Sequence, residues 1–239
     1  MSTLFIADIH LCEDEPTITA GFLRFLRCRA IFARSLYILG DLFKLWIGDD
    51  DPNPLHYEIA IALKKLTQRG IPCYFIHGNR DFLLGKRYAD FCGMILLPSQ
   101  SIIKLDGLNI IVLHGDILCT DDKHYQRCRR WTHQHWVQKL FLFMPLKFRL
   151  FIANKIRANS HYANTNNIVD IMDVNPQTVI AIMDTTHTTL MIHGHTHRPA
   201  IHNLLKQRYR VVLGSWKNQG SAIELSNNKV ILHEFPFSF

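Results

Sequence analysis

Five times along this chain a short apolar run of strand length stops at a motif built from glycine, aspartate, asparagine or histidine. Leu4-Phe5-Ile6-Ala7 runs into Asp8-Ile9-His10, Leu36-Tyr37-Ile38-Leu39 into Gly40-Asp41, and Tyr74-Phe75-Ile76 into His77-Gly78-Asn79-Arg80-Asp81. Residues 109–113 run into His114-Gly115-Asp116, and Leu190-Met191-Ile192 into His193-Gly194-His195-Thr196-His197. Unbroken apolar runs of this length suit strands buried on both faces. Helical patterns at 17–32 and 55–69 separate the first three, the second ended by Gly70 and followed by Pro72. Strand, helix, strand, helix, strand predicts an α/β sheet with polar groups gathered at the strand ends.

Further along, residues 102–105 and 109–113 flank Asp106-Gly107, a hairpin signal. Residues 210–213, 222–225 and 230–234 read as strands of a closing sheet, so the simplest assembly is two packed sheets flanked by helices. Residues 121–170 break this rhythm. From 123 to 157 there are nine Lys or Arg and no Asp or Glu, together with Trp131, Trp136, Phe141, Phe143, Phe148 and Phe151. Pro145 divides the stretch into helices at about 124–143 and 146–157. It reads as a helical cap inserted into one domain spanning 1–239. Its apolar faces either pack on that domain or stay available to a ligand.

The polar motifs have the composition of a metal site. Strand alternation would put Asp8 and His10 on one side, and likewise His195 and His197, while the neighbouring glycines allow close backbone approach. Imidazole and carboxylate together suit manganese, iron, cobalt or zinc. A carboxylate bridges two ions, and an amide such as Asn79 adds an oxygen without charge. Two ions roughly 3.5–4 Å apart activate a water and hold a phosphoryl oxygen. Singly, each motif is a common turn or helix cap. The ordered set of Asp8, His10, Asp41, Asn79, His114, His195 and His197, each closing an apolar strand, points to a dinuclear centre. No cysteine joins it, which argues against structural zinc.

This set resembles the calcineurin-like metallophosphoesterase superfamily, from residue 8 to residue 197. The resemblance implies a sandwich of two mixed β-sheets flanked by helices. It implies one ion on Asp8, His10, Asp41 and His197 and a second on Asp41, Asn79, His114 and His195. Where that superfamily usually has a histidine after the asparagine, this chain has Arg80, which clamps a phosphate but is no useful proton donor. That suits a leaving group that is already a good anion.

Longer stretches resemble one bacterial family more closely: Gly40-Asp41-Leu42-Phe43, His77-Gly78-Asn79-Arg80-Asp81-Phe82-Leu83, Arg157-Ala158-Asn159-Ser160, Ile171-Met172-Asp173-Val174-Asn175 and His193-Gly194-His195-Thr196-His197-Arg198-Pro199. These are similar to the UDP-2,3-diacylglucosamine hydrolases of lipid A synthesis. The resemblance implies water attack on the α-phosphorus, giving UMP and 2,3-diacylglucosamine 1-phosphate. It implies manganese as the metal and a peripheral place on the cytoplasmic face of the inner membrane, with no obligate protein partner. It carries over catalytic roles for the seven ligands and Arg80. Substrate contacts fall on Asn79, Arg80, Asp122, Ser160, Asn164 and His195, and on Asn167 where that family often has lysine. Read without the resemblance, Asp122 is an N-cap candidate, and Ser160 and Asn164, spaced i, i+4, are polar positions on a helix surface.

Composition bounds the alternatives. The net charge of +7 points to an anionic partner: phosphate, an anionic membrane surface or nucleic acid. No nucleic-acid-binding motif appears, and the insertion collects much of the basic charge, so nucleic acid is not expected. A soluble nucleotide or dinucleoside polyphosphate is the alternative substrate, though it needs no apolar cap. The six cysteines form no C-x-x-C pair, which favours a reducing compartment. No basic leader precedes Asp8, and no apolar run approaches the ~20 residues that span a bilayer.

Overall fold

The computed structural model describes residues 1–164, 173–205 and 207–237, with side chains outside 156–172. Two mixed sheets pack face to face between helices. The first sheet contains β1 (Thr3–Ile6), β2 (Ser35–Ile38), β3 (Cys73–Phe75), β4 (Met94–Leu96), β10 (Gln219–Ser226) and β11 (Lys229–Pro236), in the order β11-β10-β1-β2-β3-β4. The second contains β5 (Gln100–Leu105), β6 (Leu108–Leu113), β7 (Leu190–His193), β8 (Ala200–Leu204) and β9 (Arg208–Val212), in the order β5-β6-β7-β9-β8.

Alternation within the strands explains the layers. Leu4, Ile6, Leu36 and Ile38 face α1 (Pro16–Cys28), α2 (Pro54–Thr67) and α3 (Lys86–Cys92). Phe5, Ala7, Tyr37 and Leu39 point the other way and meet Ile110, Val112, Leu190, Ile192 and Val211 of the second sheet. Ile111, Leu113 and Met191 then face outward to Val179 and Met183 of α7 (Pro176–Thr186). Both faces of the central strands are therefore covered, and their sequence is apolar without alternation. The Asp106-Gly107 turn has φ of 48° and 82°, so both residues are left-handed, which matches the twist of the hairpin it joins.

The expected helix at 124–143 is two helices, α4 (Lys123–Thr132) and α5 (His135–Phe143), followed by α6 (Leu146–Asn164). Polar side chains break it. Thr132 Oγ1 donates to the carbonyl oxygens of Cys128 and Arg129, His133 Nδ1 lies 3.0 Å from the Arg129 oxygen, and Gln134 turns extended at ψ 128°. Gln134 Nε2 donates to the Arg130 oxygen, the acceptor its own N–H would need in a continuing helix, and that N–H turns to the Trp131 oxygen instead. Helices α3 and α7 and strands β4 and β8 lie where no element was expected. For α7 the Asn175-Pro176 pair was a usable signal: Asn175 Oδ1 caps the N–H groups of Gln177 and Thr178, and Pro176 opens the helix.

Among the described residues, two ion-pair clusters help to tie helices α4–α6 to the sandwich. Arg149, almost wholly buried, donates to the carbonyl oxygens of Ile47 (2.6 Å) and Met144 (2.9 Å) and forms a two-pronged ion pair with Asp50. At the other end, Asp116 Oδ2 accepts from Arg129 Nε at 2.5 Å and from the Tyr125 hydroxyl at 2.9 Å.

Candidate metal centre

Strands β1, β2 and β3 run parallel, as do β6 and β7. Their C-terminal ends consequently emerge at one edge, and the five polar motifs emerge with them. The loops stay paired beyond the strands: the N–H groups of Asp8 and His10 donate to the carbonyls of Gly40 and Asp41, and Gly194 N–H donates to the His114 carbonyl.

The side chains share one side for a reason other than strand alternation. β1 ends at Ile6 and β7 at His193, and Asp8 (φ 55°), His10 (56°), Asp41 (54°), His195 (69°) and His197 (57°) are all left-handed. Asp and His tolerate this region better than most residues, at about 1–3 kcal/mol each, and its clustering at one edge marks a functional site. Gly78 and Gly194 are needed for contact between motifs. A Cβ on Gly78 would strike the carboxylate and backbone nitrogen of Asp41, and one on Gly194 would strike the Asp8 carboxylate and Ala7.

All seven expected ligands meet. The donor atoms of Asp8, His10 and His197 lie within 4.8 Å of one another, and so do those of Asp8, Asp41 and His114. His10 Nε2 and His197 Nε2 face each other at 3.2 Å, and Asp8 Oδ1 stands 3.3 Å from His197 Nε2. On the other side His114 Nε2, His195 Nδ1 and Asn79 Oδ1 are mutually 2.9–3.2 Å apart. Asp41 spans the two groups, with Oδ2 3.8 Å from His10 Nδ1 and Oδ1 3.7 Å from His114 Nε2. Asp8 also falls in both sets, so the carboxylates lie more centrally than a simple division into two ligand sets implies. Asp8 Oδ1 and His10 Nδ1 are buried with no hydrogen-bond partner. Buried polar atoms without partners are costly, and here they converge with other ligand-type atoms, as a divalent cation requires.

Protonation follows the same geometry. Burial alone would raise the Asp8 carboxyl, but the His197, His114 and His10 rings outweigh it and hold it well below the usual carboxylate range. Burial, with Asp81 and Asp8 adding repulsion, pushes Asp41 up. Burial would lower His114, but Asp41, Asp8 and Asp116 outweigh it and push it up. Burial lowers His10 to about 3 and His195 to about 4, so both are neutral, ligand-ready imidazoles at neutral pH. Protons held on Asp41 and His114 would leave when a cation binds.

Two carboxylates that sequence reasoning placed inside motifs, without a role, organise the site. Asp81, fully buried, accepts from the N–H groups of Gly78 (2.9 Å), Asp41 (3.2 Å) and Leu42 (2.7 Å), fixing two motif loops together. Asp116 joins the His114 loop to α4. The only signal for either was an aspartate two residues after a ligand.

Arg80 donates its backbone N–H to Asp41 Oδ1 at 2.9 Å, and its Nε lies 3.5 Å from Asp41 Oδ2, with the guanidinium partly exposed. Asp122 caps α4, taking the Tyr125 N–H at 2.8 Å. Ser160 and Asn164 lie on the last turns of α6, where the side chains are outside the described set, and Asn167 lies outside the described residues.

A two-sheet α/β sandwich that gathers aspartates, histidines and an asparagine at its C-terminal strand ends defines a metallophosphoesterase. The chain belongs to the calcineurin-like phosphoesterases, matching that family over residues 1–199. It is 68% identical over 237 residues, 99% of each chain, to a UDP-2,3-diacylglucosamine hydrolase of Sodalis glossinidius (strain morsitans). It is 59% identical to one from Serratia proteamaculans (strain 568), covering 99% of this chain and 100% of the relative. In fold alone it resembles an archaeal phosphodiesterase, at 11% identity and a TM-score of 0.50, over 98% of this chain and 100% of that one.

Proposed function

We propose that this chain hydrolyses the pyrophosphate bond of UDP-2,3-diacylglucosamine, giving UMP and 2,3-diacylglucosamine 1-phosphate for lipid A synthesis. The observation that carries this reading is the 68% identity, end to end, to a relative of that name. The site would hold two divalent cations, manganese in this reading: Asp8, His10, Asp41 and His197 would hold one, and Asp41, Asn79, His114 and His195 the other. When bound, such a pair supplies an activated water and a positive field on the phosphoryl oxygens. Water oxygen bonds to the α-phosphorus while the bond to the bridging oxygen breaks. The leaving 1-phosphate departs as an anion and needs no proton at once. Arg80 therefore serves as a phosphate clamp, its guanidinium accessible beside Asp41.

Helices α4–α6 form the cap, within one domain. Asp122, Ser160, Asn164 and Asn167, from the 121–170 insertion that contains these helices, contact the substrate. Trp131, Trp136, Phe143, Phe148 and Phe151 are exposed, Phe143 to 89%, among exposed Arg127, Arg130, Lys139 and Lys147. That combination suits acyl chains and an anionic lipid surface, and supports peripheral attachment to the cytoplasmic face of the inner membrane. Among the described residues no helix is long and apolar enough to cross a membrane.

Turnover of the diacylated UDP-sugar beside soluble nucleotide diphosphates, in water carrying heavy oxygen, tests the reading. The lipid substrate is expected to react faster, with the label in UMP. Faster cleavage of the soluble compounds, or label in the lipid phosphate, overturns it.

A further inference from the structure

A second cavity adjoins the metal centre. It measures about 160 Å³ and is lined by Asp173, Thr196, Arg198, Pro199, Ala200, His202, Arg210 and Val212. Its floor follows from β-sheet register. In the antiparallel β8–β9 pair, His202 lies opposite Arg210 and Ala200 opposite Val212, so period-2 alternation brings these four side chains to one face. Its wall is the loop that leaves the metal centre, with Thr196 lying between the ligands His195 and His197.

The charges are incompletely matched. Arg198 Nη1 donates to Asp173 Oδ2 at 2.5 Å. Half-buried Arg210 donates Nη1 to His193 Nε2 at 3.2 Å, and among the described residues no carboxylate lies within ion-pair distance of it. A partly desolvated guanidinium with no carboxylate paired to it among the described residues is a donor set for an anion or for carbonyl oxygens. The volume is below the roughly 300–1,000 Å³ of a pocket that swallows a whole drug-sized ligand, and suits one ring or one phosphate. None of the lining residues belongs to α4–α6, where the exposed aromatics lie.

We propose that the pocket formed by Thr196, Arg198, His202 and Arg210 holds the pyrimidine ring of the substrate's nucleotide half, opposite in character to the apolar helices that take the lipid half. This rests on the reading of the chain as a nucleoside-diphosphate-lipid hydrolase. Arg210 and Arg198 donate to the oxygens of the nucleotide, and Pro199, Ala200 and Val212 give its ring an apolar wall.

Product inhibition separates the halves. With manganese-loaded protein, inhibition constants for UMP and for 2,3-diacylglucosamine 1-phosphate are measured in the wild type, Arg210→Gln and Arg198→Gln. Arg198 is on the rim, so its variant covers a failure of Arg210→Gln to fold. Loss of a charge-assisted hydrogen bond is expected to raise the UMP constant about tenfold or more, with the lipid constant unchanged. An unchanged UMP constant, or both constants rising together, overturns the proposal. If the wild type does not cleave the UDP-lipid, the functional reading fails separately. Calorimetric UMP binding then decides the pocket: weakened binding in either variant supports it, and equal binding in all three proteins overturns it.

Discussion

His114 Nδ1 donates to the carbonyl oxygen of Leu39 at 2.8 Å, which leaves Nε2 as the ring atom facing Asn79, Asp41 and His195. The residue just past β2 thus sets the tautomer and orientation of a candidate ligand delivered by β6, a typical device for aiming a metal-binding imidazole. Asp41 approaches both His10 and His114, through different oxygens. Asp41→Ala is therefore expected to remove activity more completely than His10→Ala or His197→Ala, and to lower metal content by more than one ion per chain. Metal analysis with turnover checks this; near-normal turnover in Asp41→Ala would defeat the dinuclear reading.

Among the described residues Asp81 makes no hydrogen bond to a candidate ligand side chain, yet holds the backbone nitrogens of Gly78, Asp41 and Leu42. Asp81→Asn sets an amide N–H against a backbone N–H in a buried position. The expected loss is about 10–100-fold in metal affinity. Titration of the metal-free protein reads it directly. A wild-type affinity would mean the loops keep their spacing without this carboxylate.

Arg80→Lys keeps the charge and removes the fork. Because the proposed clamp is bidentate, a loss of about tenfold or more in kcat/KM is expected. Matching kinetics for the two proteins would show that the guanidinium geometry is not used.

Asp50 is half exposed, whereas its partner Arg149 is almost wholly buried. Asp50→Ala strands a buried cation and is expected to cost about 2 kcal/mol. Arg149→Met removes the charge itself and should cost less. Urea midpoints of the two variants order them; a larger loss for Arg149→Met would show that its bonds to the Ile47 and Met144 carbonyls dominate.

His56 lies 4.4 Å from the Trp46 ring and 4.7 Å from Phe43, and burial lowers its pKa to about 4. Between about pH 6.5 and 4 the unfolded chain binds this proton and the folded chain does not, so stability rises with pH across that window and falls as pH drops. The contribution over the full window is about 3 kcal/mol. His56→Phe is expected to flatten this acid limb in denaturant melts between pH 4 and 7. An unaltered limb would assign it to other groups.

The hairpin at Asp106-Gly107 and the central strands were legible because each depends on local chemistry: a turn that needs two left-handed residues, and strands covered on both faces. The break between α4 and α5 was not, because Thr132, His133 and Gln134 are tolerable helix residues until their side chains capture the last carbonyls. β8 was also missed: it shows no clean alternation, with Ile201 exposed beside polar His202 and Asn203, and its partner β9 begins only at Arg208.

The sequence by itself marked the candidate donor set. Asp8, His10, Asp41, Asn79, His114, His195 and His197 are fixed by residue type and by their place after apolar runs, and such runs are dictated by burial. Tertiary structure decided how these donors meet. Asp8 and His195 are 187 residues apart, yet His195 N–H donates to Asp8 Oδ2 at 2.8 Å, because parallel strands from two sheets end at one edge and five ligands turn left-handed there. Those backbone conformations oppose local preference, so no local pattern encodes them. They persist because the packed sheets, the two close glycines and the buried Asp81 leave the loops no other arrangement.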